Sequence, residues 1–93
     1  MVGDGDVARE TRQVLKNLSA VLEAAGAAAA HVVRTTVFLA DLGDFQTVNG
    51  IYAEMFGAGT SPARACVQVA ALPKGARVEI DCVAWLGDDL QTR

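Results

Sequence analysis

The chain has 93 residues, enough for one small domain, and 52% of them are hydrophobic, which excludes a disordered protein. Its formal net charge of −3 argues against binding to the phosphate backbone of nucleic acids. No apolar run approaches the roughly 18 residues of a membrane helix, and the acidic, polar start is unlike a signal peptide, so we expect a cytoplasmic protein that does not bind membranes.

The first predicted element is an amphipathic helix. Apolar residues recur at helical spacing from Val7 to Ala25, and polar residues such as Glu10 lie mostly between them. Asp6 can cap the start of this helix, and Gly26 is a natural stop. We expect the helix to pack on a sheet, and it contains no cofactor-binding motif.

A strand and a second helix follow. Residues 31–40 are rich in β-branched side chains and predict a buried strand. Residues 41–44 break this strand, and apolar residues from Phe45 to Phe56 then recur at helical spacing. Residues 57–62 predict a loop.

Residues 61–85 predict two more strands, joined as an antiparallel hairpin by a turn at residues 72–76. The preceding strand–helix–strand unit favours a parallel pair with a right-handed crossover. The predicted fold class is therefore α+β, a single domain over residues 1–93 with an open mixed sheet and both helices on one face. Three strands are few for two helices of this length, so the sheet looks incomplete.

Alternation along the last two strands predicts which side chains share a face. Four apolar residues are expected to face the helices: Val67, Val69, Val78 and Ile80. This places five residues together on the other side: Arg64, Cys66, Gln68, Glu79 and Asp81. Trp85 lies on that second face, so we expect it to contact another subunit. Cys66 and Cys82 fall on opposite faces and fit no zinc spacing, so free thiols and no metal site are expected.

Arg64 stands in an otherwise nearly uncharged strand. Its guanidinium must be solvated, paired or bound to an anion. The residues alone leave two interpretations open: an ion pair at a subunit interface, or a bidentate clamp for the carboxylate of a substrate.

Three stretches, in this order and spacing, resemble the reactive-intermediate deaminase family, also known as RidA/YjgF or L-PSP endoribonuclease-like proteins: "RQVLKNLSAVLEAAG", "VVRTTVFLADLGDFQTVNGIYAEMFG" and "SPARACVQVAALPKGARVEIDCVA". The resemblance covers residues 6–86. It implies a chorismate-mutase-like fold and a homotrimer with ligand clefts between subunits. It also implies hydrolysis of 2-aminoacrylate, 2-iminopropanoate or 2-iminobutanoate to 2-oxo acids and ammonia, and we expect no cofactor.

The resemblance also implies roles for four residues. Arg64 of the "PAR" motif would bind the substrate carboxylate, Cys66 would contact the ligand through its backbone, and Asn49 would lie near the cleft. Glu79 of the "VEI" motif would orient or activate water and carry a proton to the leaving amine. For Glu79 an ion pair with Arg77 or Arg64 is the alternative, and for Asn49 an exposed or capping amide.

One part of the family pattern is absent: the "GPYSQA" and "VSGQ" stretches that precede the first helix. We therefore expect the C-terminal three-quarters of the family domain and a weakened deaminase, and the sequence leaves open whether this is a truncation, a mis-called start or a natural short form. Three alternatives remain: a module that binds small carboxylates without turnover, a structural oligomer, and an endoribonuclease, which the acidic charge disfavours.

Overall fold

The computed structural model describes residues 6–57 and 61–86. Five main elements follow one another: α1 (Val7–Ala24), β1 (Val32–Leu39), α2 (Phe45–Phe56), β2 (Ala63–Gln68) and β3 (Val78–Ala84). The Asp6 side chain caps α1 by accepting a hydrogen bond from the amide of Arg9, and α2 ends at Gly57. The predicted order of helices and strands is confirmed.

The sheet has the strand order β2–β1–β3. β1 and β2 are parallel, as predicted, but β3 pairs with β1 in an antiparallel manner and does not pair with β2, so the predicted hairpin is wrong. The connection between β2 and β3 passes over the end of β1, where Val69 donates to the carbonyl of Leu39 and Ala40 donates to that of Arg77. Nine residues, 69–77, are long enough to cross the roughly 10 Å between the two outer strands.

The register of the parallel pair corrects the predicted face of β2. Arg64 is the partner of Thr35, and Cys66 is the partner of Val37. Thr35 and Val37 are buried under the helices, so Arg64 and Cys66 lie on the helix side, while Val67 is exposed on the other side. The prediction had this strand reversed, because it assigned the valines of β2 to the core.

The faces of β3 are as predicted. Val78 and Ile80 are buried, and Glu79 and Asp81 are exposed. Arg64 and Cys66 are therefore not on one face with Glu79 and Asp81, as the sequence had suggested.

Both cysteines are free, as expected, but for a different reason. Cys66 is level with Val37 and Cys82 with Thr35, so both lie on the helix face, and the prediction of opposite faces is wrong. β1 separates their strands by two spacings of about 4.8 Å, which exceeds the Cα separation that a disulfide tolerates.

A β-bulge in β1 places buried residues from both ends of the strand on the same face. Its pairing with β3 shifts by one residue between Val32 and Arg34, so that Val33 is the extra residue. Val32 and Thr35, which strict alternation would place on opposite faces, are both buried.

The core lies between the helices and one face of the sheet. Apolar side chains from both helices, β1 and β3 form a cluster: Val7, Leu15, Leu22, Val32, Val37, Leu39, Val48, Ile51, Tyr52, Phe56, Val78 and Ile80. The helix-free face instead exposes Val67, Val83 and Trp85, the last two by 56% and 70%. This face therefore carries exposed apolar side chains beside the charged Glu79 and Asp81.

Glu10 is a charged residue that the helical pattern placed among polar positions, yet it is only 7% exposed. Its Oε2 accepts hydrogen bonds from the backbone amides of Arg77 and Val78, and the Arg77 guanidinium pairs with Asp44 at 3.1 Å. The other oxygen, Oε1, is buried without a hydrogen-bond partner. Glu10 thus fixes the start of β3 to α1.

Two features are absent from residues 6–57 and 61–86. No helix there is long and apolar enough to cross a membrane. No three His, Cys, Asp or Glu side chains there are grouped in a way that could hold a metal ion.

We expect Glu10→Gln to change the free energy of unfolding by less than about 1 kcal/mol, because it keeps an acceptor for both amides and removes a buried charge. Glu10→Leu leaves both amides without an acceptor and should cost about 2–4 kcal/mol. Urea denaturation measures both, with Glu23→Leu on the exposed side of α1 as a control expected within about 0.5 kcal/mol of wild type. Equal losses in the Gln and Leu variants would contradict the assigned role.

Candidate functional site

A groove of about 370 Å³ lies between the second half of α2 and the start of β2. Asn49, Tyr52 and Phe56 line it from the helix, and Ser61 and Arg64 line it from the other side. Arg64 and Asn49 are two of the residues that the sequence singled out, so we take this groove as the candidate site.

Arg64 is held by three side chains of α2. Its Nη1 donates a hydrogen bond to Oδ1 of Asn49. Its guanidinium carbon lies 5.0 Å from the centre of the Tyr52 ring and 5.5 Å from that of Phe45, which is cation–π distance. Phe45, Asn49 and Tyr52 are four and three residues apart, so they occupy one face of the helix.

The charge of Arg64 has no counter-ion in the part of the chain that the structure describes. The two ion pairs there are Arg12–Glu54 and Arg77–Asp44. Arg64 instead contacts a neutral amide and two aromatic rings. Its side chain is exposed, so an anion from solvent can reach the donors that Asn49 does not use.

Cys66 lies on the same face of β2 as Arg64, two residues further along. Burial raises the pKa of the Cys66 thiol, and the nearby Arg64 charge lowers it by less. Burial, with the neighbouring Asp81 carboxylate, also raises the pKa of Cys82. Both thiols are therefore protonated at neutral pH and poorly suited to act as nucleophiles.

Glu79 is not brought to Arg64. It is exposed on the opposite face of the sheet and is level with Phe38, whereas Arg64 is level with Thr35. Two strand spacings and three residue steps put their backbones about 14 Å apart. The prediction that Glu79 and Arg64 share a face is wrong. Arg77, the alternative ion-pair partner predicted for Glu79, is paired with Asp44.

Sequence reasoning missed the aromatic support of the site. Phe45 and Tyr52 were assigned only to the apolar face of α2, which is the usual role of aromatic residues at helical spacing. Their spacing from Asn49 was the available signal, because it places all three side chains on one helix face.

The arrangement combines a fixed guanidinium with unused donors and a partly aromatic wall. A planar, bidentate fork of this kind suits a carboxylate. Neither a carboxylate nor an imidazole is among the described residues that line the groove, so one chain supplies binding groups here but no evident acid or base.

The chain was compared with known proteins. Residues 1–86 match the family described as Endoribonuclease L-PSP. The 2-iminobutanoate/2-iminopropanoate deaminase of Rattus norvegicus is 57% identical over 83 residues, which cover 89% of this chain and 60% of that protein. A RutC family protein from Synechocystis is 55% identical over 86 residues, which cover 92% of this chain and 66% of that protein.

Solved structures are similar as well. The YjgF gene product of E. coli is 47% identical with a TM-score of 0.82, and the match covers 87% of this chain and 65% of that one. E. coli TdcF, solved with bound serine, is 42% identical with a TM-score of 0.81, covering 85% and 64%. The chain thus spans less than two thirds of the length of these similar proteins.

The raised pKa of Cys66 predicts slow alkylation by iodoacetamide at pH 7 in a Cys82→Ser variant, with the rate rising only above the ordinary thiol pKa of about 8.5. Adding Arg64→Ala removes a nearby cation and should move this rise to still higher pH. In the Cys66→Ser chain, which reports Cys82, Arg64→Ala should change nothing.

The same shift makes stability depend on pH. The folded Cys66 thiol holds its proton more tightly than the unfolded one. Its contribution to the free energy of unfolding should therefore be complete below about pH 8.5 and should decline as the pH rises further. Rapid alkylation of Cys66 at pH 7 would contradict the assignment.

Proposed function

The chain belongs to the endoribonuclease L-PSP family, and from this membership we propose that it hydrolyses small 2-imino acids, such as 2-iminopropanoate and 2-iminobutanoate, to 2-oxo acids and ammonia. 2-Aminoacrylate, the enamine form of 2-iminopropanoate, belongs to the same substrate class. In this reaction water adds to the carbon of the C=N bond, the resulting carbinolamine loses ammonia, and a C=O bond remains.

The observation that carries the proposal is the guanidinium of Arg64 beside Asn49, which has no counter-ion among residues 6–57 and 61–86. A 2-imino acid presents a carboxylate next to the reacting carbon. Binding that carboxylate in the fork of Arg64 fixes the position of the C=N bond, which is a large part of what a reaction of this kind requires. The bound serine named for E. coli TdcF is likewise an α-carboxylate, which supports this choice of ligand.

We assign the water-orienting role to Glu79. Its carboxylate can hold a water molecule and carry a proton to the leaving amine. About 14 Å separates the backbones of Glu79 and Arg64 within one chain. A site that uses both residues therefore needs Glu79 from a neighbouring subunit.

An assembly of this kind fits the helix-free face. Val67, Val83 and Trp85 are exposed there around Glu79 and Asp81, and burying them against another copy would remove apolar surface from water. We propose a cytoplasmic homotrimer in which this face meets its neighbours, with the backbone of Cys66 contacting the ligand. Ribonuclease activity, which the family description names, is disfavoured by the net charge of −3.

The second candidate function is binding of small carboxylates without turnover, as in a regulatory module. Its support is the absence of a carboxylate or imidazole among the described residues that line the groove. Pyruvate, the product of 2-iminopropanoate hydrolysis, should bind under either function, so turnover separates the two.

Arg64→Lys keeps the charge but loses the planar fork, so we expect it to bind pyruvate at least about 10-fold more weakly and to lose most turnover. An amino-acid oxidase acting on alanine generates 2-iminopropanoate, and the test follows how far the protein suppresses its capture by semicarbazide. Thermal protection by pyruvate reports binding. Arg12→Lys, in a surface ion pair with Glu54, is the matched control and should behave as wild type.

Pyruvate protection without turnover would support the binding module in place of the deaminase. Neither protection nor turnover in the wild-type chain would refute both functions.

Val83→Lys places a charge on the helix-free face and should lower the oligomer mass seen by light scattering and abolish turnover with it. Ala20→Lys adds the same charge at an exposed apolar residue of α1, away from Glu79, and should leave both unchanged. A wild-type monomer at micromolar concentration, or full turnover by monomeric Val83→Lys, would contradict the shared site.

A further inference from the structure

Tyr52 connects the candidate site to the centre of the sheet. Its hydroxyl forms a 2.7 Å hydrogen bond with the hydroxyl of Thr35 on β1, and both residues are buried. Thr35 is the strand partner of Arg64 across the parallel pair. Tyr52 therefore bonds to one member of this pair and stacks on the other.

Two contacts fix the ring of Tyr52. The hydroxyl bond holds its outer end, because each of these two buried hydroxyls would otherwise lose a partner. Phe56, one helical turn further along α2, packs against the ring with 4.8 Å between centroids. The ring thus presents one defined face to the guanidinium of Arg64, whose carbon is 5.0 Å from its centre.

We propose that Tyr52 is a positioning residue for Arg64. An arginine on a strand next to a groove has many rotamers, and each ligand would have to order it at the expense of affinity. The Tyr52 ring, braced by Thr35, holds the plane of the guanidinium, and Asn49 occupies one of its donors. The remaining donors then form a fork that is ordered before the carboxylate arrives.

The role of the bound carboxylate rests on the proposed function, but the order of the Arg64 side chain does not. The two can be measured separately. Protons above an aromatic ring are shifted upfield, so the δ-methylene protons of Arg64 report the stack by NMR in the protein without ligand. Pyruvate affinity, measured by calorimetry, reports what the stack does for binding.

Tyr52→Leu removes the ring and should abolish the upfield shift of Arg64 and raise the Kd for pyruvate about 5- to 30-fold, the range expected for loss of a partly desolvated cation–π contact. Tyr52→Phe keeps the ring and its packing on Phe56 but loses the bond to Thr35, so the upfield shift should persist in part and the Kd should rise by no more than about 3-fold. Rescue by this conservative variant separates positioning from general damage.

Ile51→Ala is the matched control for stability. Ile51 is buried on the same helix, next to Tyr52, but it is not among the described residues that line the groove. Its loss should cost about as much stability as other large-to-small core changes, and it should leave the Kd for pyruvate within about 2-fold of wild type.

The proposal is overturned if Tyr52→Leu leaves either the Arg64 shifts or the Kd unchanged, or if Ile51→Ala weakens pyruvate binding as much as Tyr52→Leu. If the wild-type chain binds no pyruvate, the proposed function fails, and the NMR comparison alone then decides whether Tyr52 orders Arg64.

Discussion

The register of the parallel pair β1–β2 is the constraint on which the candidate site depends. It sets Arg64 beside Thr35, on the side of the sheet that α2 covers. A slip by one residue would turn Arg64 to the helix-free face, away from Asn49 and both aromatic rings. The crossover through α2 carries the chain from one strand to the other, so the helix that supports Arg64 also connects the two strands that position it.

Periodicity and chain order were enough to predict the elements and the parallel pair, because a strand–helix–strand unit has few stable arrangements. They were not enough to orient β2. Alternation separates its residues into two sets, and polarity favours the wrong one: Ala65 and Val67 are apolar, whereas Arg64 and Gln68 are polar, yet the set with Arg64 faces the helices. The assumed hairpin failed for a related reason: a nine-residue connection allows β3 to reach either edge of the sheet.

The site was predictable in part. Arg64 and Asn49 were selected by resemblance, and the structure brings their side chains into contact. Phe45 and Tyr52 were not selected, because aromatic residues on a helix face normally belong to the core, and here they serve both the core and the guanidinium. Glu79 was selected but lies on the other face of the sheet, because it is level with Phe38, and two strands away from Arg64, because β3 pairs with the opposite edge of β1.

The β-bulge in β1 shifts the alternation of its side chains by one residue. Residues before it and residues after it follow opposite parities, yet both halves keep their buried side chains under the helices. The stretch around Val33, which faces away from the helices, is thereby uncoupled from the stretch that holds Thr35 level with Arg64. A substitution at Val33 therefore changes the helix-free face without altering the register that sets Thr35 beside Arg64.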